Sequence, residues 1–178
     1  MFQGWALAEL GELERGIEYM RQGLDELKAM VTGEDFPQLR EMVAGACVKA
    51  DQPELALSML DEAFAETEQM GLRYWTAELH RSRGEALLAL SPPRVSDAEA
   101  EFSKALSIAA QQKVRSLELR AAVSLATLER GRGRPAAARE TLAPVYAWFR
   151  EGLDTVDLRE ARTLLDELTA SPPSRMAT

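Results

Sequence analysis

The chain has 178 residues, 46% hydrophobic and 28% charged, with 29 acids against 21 bases and a net charge of −8. That length supports one domain with a real core, and the acidic balance argues against nucleic acid or an anionic membrane as partner, because phosphates would repel it. A single cysteine, Cys47, leaves no internal disulfide and points to a reducing compartment. No run approaches the ~18 apolar residues of a membrane span. The opening Met1–Trp5 lacks the basic and apolar regions of a signal peptide, so a cytoplasmic location is expected.

In chain order, apolar periodicity predicts helices at about 1–10, 14–31, 36–49, 53–70, 74–90, 96–112, 114–130, 135–151 and 157–169. Alternating strand patterns are lacking. The second, fourth, sixth and eighth helices share a stripe of a small residue, an apolar residue four on, and small or apolar residues seven and eight on. These are Gly16, Met20, Gly23, Leu24; Ala56, Leu60, Ala63, Phe64; Ala98, Phe102, Ala105, Leu106; and Ala138, Leu142, Val145, Tyr146. Positions i, i+4, i+7 and i+8 lie on one helical face. The stripes begin 40, 42 and 40 residues apart, and the helix before each carries its own small residue, Gly4, Ala44, Gly84 or Ala126, lying 12, 12, 14 and 12 residues upstream. Small residues at helix crossings let the axes approach closely. The third interval is longer because Ser91-Pro92-Pro93 extends the turn.

Asp51–Glu54 and Ser96–Glu99 read as capping boxes, and Gly11, Gly71 and Gly133 sit where helices should stop. Pro144 should kink the eighth helix or end its regular part. The ninth, with Leu158, Ala161, Leu165 and Leu168 on one side, is expected to cap the stack. Residues 169–178, with two prolines, read as a disordered tail. The expected architecture is therefore all-α: a right-handed α-solenoid of about four helical hairpins (about 1–31, 36–70, 74–112 and 114–151) plus a capping helix at 157–168.

The recurring small-residue and aromatic slots resemble the tetratricopeptide repeat, whose usual period of about 34 residues is shorter than the spacing here. Three stretches, RYWTAELHRSRGEALL (73–88), SLELRAAVSLATLERGRG (116–133) and TLAPVYAWFREGLDTVDLREARTLLDEL (141–168), look like the C-terminal end of large bacterial signalling proteins. In those, an adenylate cyclase or DNA-binding output domain precedes an AAA- or STAND-type ATPase and a helical repeat array. The resemblance covers residues 70–168 well and 1–70 only as generic repeat. It implies a sensor or scaffold arm without the parent's chemistry, since no Gly-rich phosphate loop ending Gly-Lys-Ser/Thr occurs. The short first helix suggests a fragment of a longer array, with Phe2 and Trp5 at an exposed edge through which two copies would pair.

No catalytic, metal or cofactor site is expected. His80 is the lone histidine and sits mid-helix, where packing or a hydrogen bond is the simpler role; an enzyme reading returns only if it lies in a pocket paired with an acid. His80 and Cys47 are 33 residues apart and form no ligand cluster. Glu99 with Glu101, and Asp61 with Glu62, read as solvated helix faces, and Cys47 as inert and buried. Trp148 and Tyr146 read as core, and Trp75 as wedged between hairpins. In such arrays the first helix of each pair lines the concave side. This places Trp5 and Glu9; Gln38, Glu41, Gly45 and Lys49; Glu78, Arg81, Glu85 and Leu88; and Arg120, Val123, Thr127 and Arg130 on a partner-binding groove. Arg81, Arg120 and Arg130 form a column able to hold a peptide carboxylate, unless Glu78 and Glu85 already pair with them. The function expected is protein or peptide binding in a regulatory module. The alternatives are a small-ligand sensor, favoured by an enclosed pocket, and a homo-oligomerisation module, favoured by a large buried dimer face.

Overall fold

The computed structural model describes residues 1–30 and 36–170. Among these the chain is all-helical: α1 (Phe2–Glu9), α2 (Leu13–Met30), α3 (Phe36–Lys49), α4 (Pro53–Met70), α5 (Thr76–Ala89), α6 (Val95–Gln112), α7 (Arg115–Gly131), α8 (Pro135–Tyr146) and α9 (Val156–Ala170). Thr169 and Ala170 belong to α9 and not to a tail; residues 171–178 lie outside the described residues.

The elements match the predicted ones to within two residues except at α8, which stops at Tyr146. Pro144 is the cause. It has no N–H to continue the ladder and its ring crowds the preceding turn, and the chain leaves through tightened turns, Trp148 N to Val145 O at 3.3 Å and Phe149 N to Tyr146 O at 3.1 Å. The two predicted capping boxes do not form. Asp51 takes a left-handed conformation, φ 57°, in the turn before Gln52, which caps α4 through its backbone with Pro53 as the first helical residue. Ser96 lies inside α6, which starts one residue earlier behind Arg94.

The repeat slots are buried. Met20, Ala56, Leu60, Ala63, Ala98, Ala105, Ala138 and Leu142 are each 0% exposed. Close approach explains the glycines: a Cβ on Gly4 would sit 2.6 Å from the Gly16 carbonyl oxygen, and one on Gly84 would overlap the Phe102 ring. Three-residue turns join α1 to α2, α3 to α4 and α7 to α8, whereas residues 90–94 make a five-residue turn between α5 and α6. This difference accounts for the longer third interval.

Each helix packs on the next in sequence. In addition α1 approaches α3, α3 approaches α5, α5 approaches α7 and α7 approaches α9, while among the described residues the backbones of the even helices stay apart, and Lys28 of α2 reaches Glu66 of α4 through an ion pair at 2.9 Å. The odd helices thus form one continuous layer and the even helices stand apart. Arg40 of α3 ties α3 to α4 within the second pair, and Lys28 of α2 reaches the same Glu66 from the first. Nearly buried, Arg40 gives two hydrogen bonds to Glu66 (2.9 and 3.0 Å) and pairs with Glu62 at 2.6 Å.

The core is a chain of apolar clusters, from Met20, Val43, Cys47, Leu60 and Leu79 at one end to Leu119, Ala126, Leu142, Leu158 and Leu168 at the other. Trp75 packs on two of them, as its wedge position predicts. Trp148 departs from expectation. It is 56% exposed, lies under the Arg115 guanidinium at 5.3 Å, and leaves Phe149 and the half-buried Tyr146 to pack inward. With α8 ended early, Trp148 falls in the loop and loses the helical register that would have turned it inward. Cys47 is fully buried, and burial pushes its thiol up to about 11, so it stays a thiol.

Candidate functional site

Helix α5 organises the centre of the odd layer. Glu78, Arg81, Ser82 and Glu85 fall on one face by the i, i+3, i+4, i+7 rule. Glu41 of α3 and Arg120 and Ser124 of α7 meet them from either side. Glu78 is 0% exposed. Its Oε1 accepts from Arg81 Nε at 2.9 Å and pairs with Arg120 Nη2 at 2.8 Å, while its Oε2 has no partner. Arg81 also bonds Glu85, and Ser82 Oγ donates to Glu41 at 2.6 Å.

Three acids and two arginines therefore share a largely dry space, and their titration reflects it. Burial, reinforced by Glu78, pushes the Glu41 carboxyl up to about 7, against the pull of Ser82, Arg81 and Arg120. Burial works against the Arg81 charge, but Glu78 and Glu85 more than offset it and raise its pKa.

A groove opens beside this network along α7. One cavity of about 490 Å³ is lined by Leu88, Phe102, Thr127 and Leu128, and a smaller one of about 130 Å³ by Arg81, Arg120 and Asp157. The two share Glu85, Val123, Ser124 and Glu160, which makes them one groove. Its floor is apolar, and its charged lining sets Glu85, Asp157 and Glu160 against Arg81, Arg120 and Arg132, each of these arginines being paired with a carboxylate. Among the described residues neither Asp157 nor Glu160 makes an ion pair.

The predicted groove residues are therefore only partly assembled. Glu78, Arg81, Glu85 and Arg120 meet, and Thr127 lines the groove beside them. Arg130 pairs with Glu167 of α9 instead. Lys49 pairs with Glu9 across α1 and α3 at 2.6 Å, and Trp5 is exposed on α1; neither lines this groove. The arginine column is not free, because each of its three members already has a carboxylate. Sequence reasoning missed Asp157 and Glu160 by assigning α9 wholly to capping. Their one-turn spacing beside the apolar stripe of Leu158 and Ala161 was the available signal.

The solvated acids have partners as well: Glu99 pairs with Arg132 and Arg134, Asp61 with Arg83, and Glu62 with Arg40. His80, on the opposite face of α5, stacks 4.7 Å from the Phe64 ring, bonds Glu101 Oε2 through Nδ1 at 2.6 Å, and lines a separate outer cleft. It thus sits in a pocket paired with an acid. Neither threonine hydroxyl on that cleft is bonded to it: Thr67 donates to Ala63 O, and Thr76 has no partner. Among the described residues no three His, Cys, Asp or Glu side chains are grouped to hold a metal ion, and no helix is long and apolar enough to cross a membrane.

No protein-family model matches the chain. It is 33% identical over 128 residues to an uncharacterized protein of Rhizobium meliloti (strain 1021). The match covers 72% of this chain but 12% of that protein, so the chain spans a small part of the relative's length.

Proposed function

We propose that this chain is a non-catalytic interaction module, a right-handed α-solenoid of tetratricopeptide-like hairpins belonging to a larger cytoplasmic bacterial signalling protein. Its α7 groove takes an extended peptide segment from another protein or another domain of the same parent. The buried repeat slots and the continuous odd-helix layer support the solenoid reading. A relative matched over only 12% of its length accords with a larger parent, and the resemblance of residues 70–168 to cyclase- or ATPase-linked arrays gives that parent its class.

The observation that carries the reading is the groove itself, an apolar floor at Leu88, Val123 and Leu128 under a rim of Glu85, Asp157 and Glu160. An acidic rim over an apolar floor suits a segment that alternates apolar with lysine or arginine side chains. This reverses the charge expected from the arginines alone, because Glu78 and Glu85 together offset Arg81 and Arg120, and Glu99 pairs with Arg132, which leaves Asp157 and Glu160 as the uncompensated charges. The non-catalytic part rests on the same reasoning at His80. His80 stands against Phe64 with Glu101 on Nδ1, and neither threonine hydroxyl of the cleft is bonded to it, so the pair is read as positioning the ring and not as activating a nucleophile of the chain.

The test is selection of random twelve-residue peptides on the immobilised chain. Recovered peptides should be enriched in basic and apolar residues and lose at least tenfold in affinity against the Glu85→Lys, Glu160→Lys double variant. Acidic peptides that depend on Arg120, or no selection above background, would overturn the proposal. A second reading, self-association, is favoured by Phe2, Leu10 and Trp5 on and beside α1, which are 71%, 81% and 45% exposed. Light scattering of the chain and of a Phe2→Ser, Trp5→Ser variant checks it: a dimer that becomes a monomer supports it, and a monomer throughout removes it.

A further inference from the structure

Opposite the groove, the outer face of α5 floors a cleft of about 690 Å³ between α4 and α6. It exists because the backbones of α4 and α6 do not approach each other. Thr76 and His80 rise from its floor, and Phe64 of α4 and Lys104, Ile108 and Gln112 of α6 form its walls. A volume in the range of small-ligand pockets, about 300–1,000 Å³, would be unremarkable alone. Two further observations give this one a chemistry.

The first is charge. Among the described residues Arg73 and Lys104, both on the cleft, make no ion pair, and the third cation there, Arg83, is taken by Asp61. In a chain of net charge −8, two unpaired cations on one concave surface stand against the overall sign, with Glu68 the lone acid among the lining residues. The second is unmet hydrogen bonding. Thr76 Oγ1 and Gln112 Oε1 are buried and have no partner. The Gln112 amide nitrogen is fixed on the Arg73 carbonyl at 2.6 Å, which commits its oxygen to accept from something else. A buried polar atom left unpaired costs about 1–3 kcal/mol, and a bound group that supplies the missing bonds recovers that cost. Glu101 holds one nitrogen of His80, fixing the ring and leaving the other nitrogen for a further bond.

The geometry points to this cleft as a second binding site, for a small molecule that carries a carboxylate or phosphate together with a hydroxyl or amino donor. The oxyanion meets Arg73, Lys104 and the Thr76 hydroxyl; the donor meets Gln112 Oε1; and the remaining carbon skeleton lies on Phe64 and Ile108. This site is built from residues other than those of the α7 groove, and the two recesses share the helices α5 and α6.

Inorganic phosphate and citrate, titrated separately at constant ionic strength into the isotope-labelled chain, distinguish the two oxyanions by nuclear magnetic resonance. We expect saturable shifts at the Thr76, Lys104 and Gln112 amides with at least one probe, the tighter one identifying the oxyanion. Both unpaired cations are exposed, so Arg73→Glu with Lys104→Glu should keep the fold and weaken that probe at least tenfold, and Thr76→Val should weaken it severalfold. Non-saturating shifts at basic residues generally, or unchanged affinity in the double variant, would overturn the site. Should the double variant lose its helical signal, Lys104→Met replaces it, and the same two outcomes decide.

Discussion

The two faces of α5 carry similar side chains to opposite ends. On the inner face Glu78, Arg81, Ser82 and Glu85 are drawn into a network that spans three helices and is satisfied except for one oxygen. On the outer face Thr76 and His80 look into a cleft with unpaired cations and unmet polar atoms. The difference follows from the neighbours. Odd helices close on one another, so Glu78 and Arg81 between them are dehydrated and must be neutralised internally; α4 and α6 leave a wider gap, in which Arg83 is paired with Asp61 but Arg73 and Lys104 make no ion pair. In such an array the layer a residue faces decides whether its charge supports the fold or serves a ligand.

The sharpest way to break this contrast is at the packing it depends on. Ala105 of α6 is 0% exposed, and Ala105→Glu would bury a carboxylate at a cost of several kcal/mol. Loss of cooperative thermal unfolding by circular dichroism is expected, and a melt like that of the wild type would refute the packing. Next in size, Glu78→Ala leaves Arg81 with Glu85 alone and Arg120 without its carboxylate, and should cost at most about 3–5 kcal/mol in urea unfolding. Glu85→Ala, at the exposed edge of the same network, should cost under about 1 kcal/mol. Equal losses would show that burial does not grade the contributions within this network.

Glu41 gives an effect that depends on pH. Its folded pKa, about 7, lies above its ordinary 4.5. Its favourable contribution is therefore full below about 4.5 and disappears as pH rises through about 7. Glu41→Gln keeps the acceptor for Ser82 and abolishes the buried charge. It should raise stability at pH 8 by at most roughly 3 kcal/mol and change little at pH 4. A gain that is the same at both values would place the cause outside titration.

Much of this was legible in the sequence because helix stripes are local. The spacing of Gly16, Ala56, Ala98 and Ala138 marks four like elements, and Ser91-Pro92-Pro93 accounts for the one irregular interval. Local reading failed where backbone geometry overrode side-chain type, at Asp51, whose left-handed turn precludes capping, and at Trp148, stranded by Pro144. Charge pairing was hardest to read because the partners are remote. Ser82 bonds Glu41, Lys49 bonds Glu9 and Gln112 bonds Arg73, each across about one repeat length. Arg120 looks like a groove residue until its 2.8 Å contact with Glu78 makes it part of the core network.

The unequal contact pattern of the layers has a mechanical consequence. A chain hinged along one continuous edge and open along the other has a preferred soft motion, a spreading and folding of the open side like the ribs of a fan. The inner ionic network is the pivot, and the gap between α4 and α6 is where angular displacement becomes a change of width. A molecule lodged there would act as a wedge that sets the curvature of the array, and so the width of the α7 groove, without touching whatever that groove holds.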